Sequence, residues 1–314
     1  MRKKATISWI TVSVIVALAS LILFFGVFYE ADFEGVIGDM ACKQSVVSKA
    51  AMPDRLFINL EQYIPLNCET KKICITSKFF GKGECEGELG EDYETMRVSG
   101  NAEEKQTQIN RILARELTGC WETMGRGELK VFSRDSTFNK KACVLYTRVS
   151  FDKSITEEFS EIKGIGRYLF THNVPNKEIS YFKFLNNYSG VNLNDFDEEK
   201  DKFTTTQKVI IFTEMDNSEI EKFITAGAGA LTGAYTGGEL GAVVGSVIPV
   251  VGTVVGGTVG FILGGIAGFE LGEETGKTFE NEKEFYGAYA FIDYKSEVIK
   301  SLGCNSFENL GSIS

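Results

Sequence analysis

Twelve glycines recur at every fourth position late in the chain, and few architectures tolerate that. The first series is Gly229, Gly233, Gly237, Gly241 and Gly245, and the second is Gly252, Gly256, Gly260, Gly264, Gly268, Gly272 and Gly276. A four-residue repeat sets each series on one face of an α-helix. Between them runs Ser246-Val247-Ile248-Pro249-Val250-Val251, where proline breaks a helix and turns the chain. The pattern predicts a helical hairpin over 225–276, closed glycine face against glycine face. Glycine costs ~1 kcal/mol against alanine inside a helix, so the two series together cost roughly 10 kcal/mol, as much as the net stability of a domain. Water does not support such a helix. A bilayer does, because the backbone must bond internally there and small residues let helices approach closely. Residues 225–269 carry one charge, Glu239. Gly252 to Phe269 is an uncharged stretch of 18 residues, near the lower limit of a span, and Glu270, Glu273 and Glu274 end it.

Glu239 lies on the row Leu231, Tyr235, Glu239, Val243 and Val247, away from the glycine face. A lone carboxylate in mid-span costs about 3 kcal/mol. Three settings suit it: protonated or paired inside an oligomer, lining a water-filled pore, or packed in protein instead of lipid. The two glycine series and the Ile248-Pro249 turn resemble the glycine-zipper hairpins of small bacterial envelope proteins and of some bacteriocin and toxin membrane domains. The resemblance implies close helix packing in a membrane and association of copies through the zipper. Outside residues 227–276 glycine falls to 17 in 264 residues, which is ordinary usage, so the excess is one registered device and not low complexity.

A second apolar segment opens the chain. Arg2, Lys3 and Lys4 precede an uncharged run of 25 residues, Ala5 to Tyr29, and Glu30, Asp32, Glu34 and Asp39 follow. The run is long enough to span a bilayer, and positive-before, negative-after places the N-terminus in the cytoplasm and the bulk of the chain outside. A cleaved secretory signal has a shorter apolar core with small residues behind it; here Ala17-Leu18-Ala19 sits mid-run. Residues 1–29 are therefore expected to be a retained anchor. The start, Arg2-Lys3-Lys4-Ala5-Thr6-Ile7-Ser8, resembles the class III signal of archaeal pilin-like proteins. That resemblance implies cleavage after Ala5 and assembly through the helix.

With that topology all seven cysteines, Cys42, Cys68, Cys74, Cys85, Cys120, Cys143 and Cys304, lie in an oxidising compartment, where disulfides are the default. Six of them fall between residues 42 and 143, which suggests a stapled membrane-proximal region. Spacing does not select a connectivity, and an odd count leaves one thiol free or intermolecular. No C-x2-C pair exists to hold a metal. Asn187-Tyr188-Ser189 is an acceptor sequon for a glycan at Asn187.

Residues 30–224 and 277–314 read as one water-exposed domain of mixed α and β structure. Ile109, Ile112, Leu113, Leu117, Cys120, Trp121 and Met124 recur at helical spacing over 102–124. Residues 156–171 and 178–186 read as helices broken by Pro175. Lys141–Phe151, Thr205–Met215 and Phe285–Tyr294 read as strands. If the last two pair, the glycine-rich segment is an insertion at a sheet edge.

The remaining signals exclude more than they include. A net charge of -10 argues against nucleic acid, which needs a basic face. His172 is the single histidine, which removes histidine triads and histidine-rich metal sites. Gly272-Glu273-Glu274-Thr275-Gly276-Lys277-Thr278 has three residues between its glycines where a phosphate loop needs four. Gly227-Ala228-Gly229 continues to Thr232, so the dinucleotide-binding pattern fails. Asp195, Asp197, Glu198, Glu199 and Asp201 lack calcium-loop spacing. No catalytic constellation, cofactor or metal set is expected. The expectation is an α+β, membrane-anchored surface protein with a disulfide-bonded external domain and an inserted glycine-zipper hairpin, giving three spans if the hairpin enters the bilayer. Its partners are the lipid bilayer and further copies of itself, and no feature names another protein partner. A pore-forming or contact-dependent effector and a pilin-like structural subunit are the alternatives.

Overall fold

The computed structural model describes residues 33–51, 66–127, 129, 131–132, 141–186, 201–215, 249–251, 261–263, 286–294, 299 and 304–307. Its first half contains α1 (Phe33–Ala50), β1 (Lys71–Thr76), α2 (Glu86–Leu89), β2 (Glu94–Arg97), α3 (Ala102–Thr123) and β3 (Lys141–Phe151). Next come α4 (Lys153–Thr156), β4 (Glu161–Lys163), α5 (Ile165–Thr171), α6 (Tyr181–Asn186), β5 (Lys202–Thr204) and β6 (Lys208–Met215). The last strands are β7 (Pro249–Val251), β8 (Phe261–Leu263), β9 (Tyr286–Asp293) and β10 (Cys304–Phe307). The protein is thus mixed α and β, with three disulfides among the described residues.

α3 forms where the apolar period predicts it. Asn101 starts it with a capping box: its side chain accepts from the Glu104 N–H, and Glu104 accepts from the Asn101 N–H. Ile109, Leu113, Leu117, Cys120 and Trp121 form its buried face. That face lies on a sheet of order β2-β1-β3-β6-β9. β3 is its centre. β6 pairs antiparallel along one edge, while β1 and β10 pair parallel with the two ends of the other edge. β9 then pairs antiparallel with β6.

Val209, Ile210, Ile211 and Phe212 are all fully buried, so both faces of β6 are covered. This accounts for its continuous apolar run, which an alternating one-sided strand would not show. Ile210 and Phe212 share a face with Phe291 and Tyr289 and join the α3 core; the Tyr289 ring lies 5.3 Å from Trp121.

Four expectations need correction. The helix expected over 156–171 is α4, then β4, then α5, because Gly164 adopts φ +82° and Ile162 is drawn into a two-stranded pairing with Phe203 of β5. The second, expected over 178–186, begins at Tyr181, since Ser180 is bridged to Asn173. The six cysteines between 42 and 143 do not form a closed set. The pairs are Cys42–Cys68, Cys74–Cys85 and Cys143–Cys304, and Cys120 is a buried free thiol. Cys304 reaches Cys143 because β10 adds to the β3 edge beside it. Finally, the part of the glycine-rich segment that is described is extended, not helical: Pro249, Val250 and Val251 pair antiparallel with Leu263, Ile262 and Phe261. Val250, Val251, Phe261 and Ile262 are β-branched or aromatic and favour strands, and proline is tolerated at a strand's first position.

The pairings give the domain two ends. α3 spans them, and its 22 residues rise about 33 Å. At the upper end, where α3 starts, β1 and β3 finish: the Val98 N–H donates to the Thr76 carbonyl, and Lys105 Nζ lies 2.6 Å from Glu158. At the lower end, where α3 stops, β1 starts: Lys71 Nζ donates to Glu116 at 3.0 Å. Because β6 runs against β3, its last residue, Met215, is at the lower end, and it pairs with Tyr286, the first residue of β9. A Cβ built on Gly287 would fall 2.5 Å from the Gly127 Cα, so the start of β9 touches the turn that ends α3. α1 packs on that same turn.

Candidate functional site

A cluster of polar and titratable side chains lies at the lower end, between α3, α1 and the sheet. Glu116 accepts from Lys71 Nζ on one carboxylate oxygen and from the Thr147 hydroxyl on the other, each at 3.0 Å. Lys71 also meets Glu94 at 3.3 Å. Burial alone would lower its pKa, yet the two carboxylates hold it above the ordinary lysine value. One turn after Glu116, Cys120 is fully buried. Its pKa is raised well above the usual thiol range, first by burial and then by the Glu116 charge.

Two tyrosines complete the cluster. The Tyr146 hydroxyl donates to Asp39 Oδ1 of α1 at 3.2 Å and lies 3.4 Å from the Thr123 hydroxyl. Burial raises its pKa strongly, and the Asp39, Cys120 and Glu116 charges add to the rise. Tyr289 is wholly buried and its hydroxyl has no hydrogen-bond partner among the described residues. Its pKa is raised by burial, with Cys120 adding to it.

This arrangement keeps protons on. A nucleophilic thiol needs a cation or helix N-terminus to stabilise its thiolate. Cys120 instead faces a carboxylate near the C-terminal end of α3. The cluster therefore works as a polar clamp: Glu116 ties α3 to β1 and β3, and Tyr146 ties β3 to α1. Sequence periodicity marked Cys120 as a core position but gave no sign of Glu116, Thr147 or Tyr289 as its neighbours.

The other predicted site residues divide in two. Cys42, Cys68, Cys74, Cys85, Cys143 and Cys304 are brought together in pairs. The anchor at 1–29, Asn187, Glu239 and all twelve registered glycines lie outside the described residues. Among the described residues no helix is long and apolar enough to cross a membrane, and no group of His, Cys, Asp or Glu side chains is placed to hold a metal ion. His172 stacks on Tyr168 with ring centroids 3.9 Å apart. A surface feature passed over in the sequence is Phe79-Phe80, exposed at 80% and 81% between two lysines; the cue was the run Lys78-Phe79-Phe80-Gly81-Lys82. No protein-family model, curated protein or solved structure matches this chain.

Proposed function

We propose that this is a membrane-anchored surface protein that presents a disulfide-bonded α+β domain outside the cell and holds its glycine-rich segment in or against the same membrane. One observation carries the reading. The ends of the segment, Met215 and Tyr286, are paired at the lower end of the domain. α1, which follows the 25-residue uncharged run, packs at that same end. α1 and the two strands that flank the segment thus meet at one end of the domain, which supports an anchor and an insertion entering a single bilayer. The lower end is also where the Cys42–Cys68 bond and the Glu116–Lys71 clamp tie α1 and β1 to the fold.

The disulfides support an external compartment. Three disulfides are what a domain held in an oxidising compartment carries by default. The role that fits is structural or cell-contact: a stable domain held at a surface, with association of copies through the glycine-rich segment. Carbonate extraction of membranes from cells expressing the chain without residues 1–29 tests the insertion. Retention in the membrane pellet is the expected result, and release into the soluble fraction refutes it. Protease digestion of intact cells tests the topology; a domain cut only after the membrane has been opened would overturn it.

A further inference from the structure

β7 and β8, the described strands of the glycine-rich segment, lie where its glycines pause. β7 falls between Gly245 and Gly252, and β8 between Gly260 and Gly264. Val250 and Val251 in one, and Phe261, Ile262 and Leu263 in the other, are large apolar residues that suit a paired, half-buried surface. The ladder sets Val250 opposite Ile262. β8 packs in turn against β9. β9 is an end strand: among the described residues its ladder partner is β6, and β7–β8 is a separate two-stranded sheet. An end strand left open invites pairing with other chains, so a covering element protects it. Ala288, Ala290 and Ile292 of β9 are buried, although they alternate with Tyr289 and Phe291, the residues that join the α3 core. β8 is thus docked beside the main sheet without being laddered into it among the described residues.

We propose that this docked form is one of two berths for the segment, the other being the bilayer, and that β7 and β8 part before the segment enters lipid. The proposal rests on the membrane reading above and supplies a step which that reading requires. A two-stranded hairpin does not lie in hydrocarbon, because its outer N–H and C=O groups find no partner there; a helix bonds its own. The four-residue glycine register provides the helical alternative, with a small face that lets a second helix approach closely. The two forms exclude each other. As ladder partners, Val250 and Ile262 have Cα atoms about 5 Å apart. On one helix the same residues, twelve positions apart, are separated by about 18 Å along the axis. Water favours the docked form, which spares the segment the glycine cost of a helix and covers β9. Lipid favours the helix, because backbone satisfaction there outweighs that cost. The domain thereby carries its membrane segment without presenting it, and releases it by exchanging β9 for lipid.

Full-length protein carrying Val250→Cys and Ile262→Cys tests this, with Cys120→Ala to remove the free thiol. Phe261→Trp in a Trp9→Phe background reports lipid contact in vesicles of brominated phosphatidylcholine, read against the same chain without that reporter. The pair is expected to bond as the chain folds in the cell, which non-reducing peptide mapping scores, and the bonded chain to keep its reporter unquenched. The chain without the cysteine pair is expected to insert and to lose at least half of the reporter emission. Bonded chains with a quenched reporter overturn the proposal, since the strands would then enter lipid still paired, as in a closed barrel. A pair that never bonds overturns it too, and quenching in that case leaves the membrane reading standing. A pair that bonds with no quenching in either chain shows a segment docked and never inserted, which refutes the membrane reading along with the exchange.

Discussion

Breaking the ion pair between Lys208 and Asp293 will cost more than any surface substitution on this domain. The two residues face each other across β6 and β9, on the strands that flank the glycine-rich segment. Their side chains are 3% and 4% exposed. Lys208 donates to Asp293 Oδ1, which also accepts from the Thr206 hydroxyl at 2.9 Å, and Lys208 reaches the Thr204 hydroxyl at 3.1 Å. Lys208→Met leaves a buried carboxylate that has lost its cation. Removing one partner of a buried pair costs about 3–5 kcal/mol. At about 1.36 kcal/mol per tenfold, that is two to nearly four decades in the folded-to-unfolded ratio. Replacing both partners, Lys208→Met with Asp293→Leu, removes the stranded charge as well and is expected to be near neutral. Denaturant unfolding in a Trp9→Phe background, followed by Trp121 fluorescence, reads this directly, because Trp121 packs on Tyr289 of β9. A loss under about 1 kcal/mol for Lys208→Met would refute the reasoning, since the pair would then behave as a surface pair. A double variant as damaged as the sum of its singles would refute it equally.

Three further expectations follow from the same structure. The disulfides close loops with separations of 161, 26 and 11 residues, so replacing Cys143/Cys304 by alanine should cost about 5 kcal/mol and Cys74/Cys85 about 3 kcal/mol; chemical denaturation that reverses this order counts against it. Burial raises the pKa of Cys120, Tyr146 and Tyr289, so the folded state keeps protons that the unfolded chain releases. Their stabilisation is complete below the unfolded values, about 8.5 for cysteine and about 10 for tyrosine, and falls as pH climbs from there toward the folded ones. Denaturation midpoints should therefore drop in alkali, less steeply for Tyr289→Phe; a flat profile sinks the account. Asn101→Ala removes a capping box and should lower stability by about 1 kcal/mol, with faster amide exchange in the first turn of α3; exchange unchanged at Glu104 would contradict the cap.

Several elements could be read from the sequence because their determinants are local. The period of Ile109, Leu113, Leu117 and Trp121 writes the face of α3. The run Val209-Ile210-Ile211-Phe212 announces a strand buried on both faces. Residues 156–171 misled for the converse reason. Their apolar pattern is compatible with a helix, and what divides it is the pairing of Ile162 with Phe203, a partner 41 residues away.

The amino-acid sequence by itself determined the glycine register, the two uncharged segments and the helix and strand faces, since spacing along one chain encodes all of these. Only the tertiary structure decided which cysteines meet, that Met215 and Tyr286 pair at the end of the domain where α1 packs, and that Phe79 and Phe80 follow β1 at the other end. Those facts depend on strand direction and register. Hydrogen-bonded pairing sets them between residues as far apart as Cys143 and Cys304, and the order of residues in the chain carries no such distance.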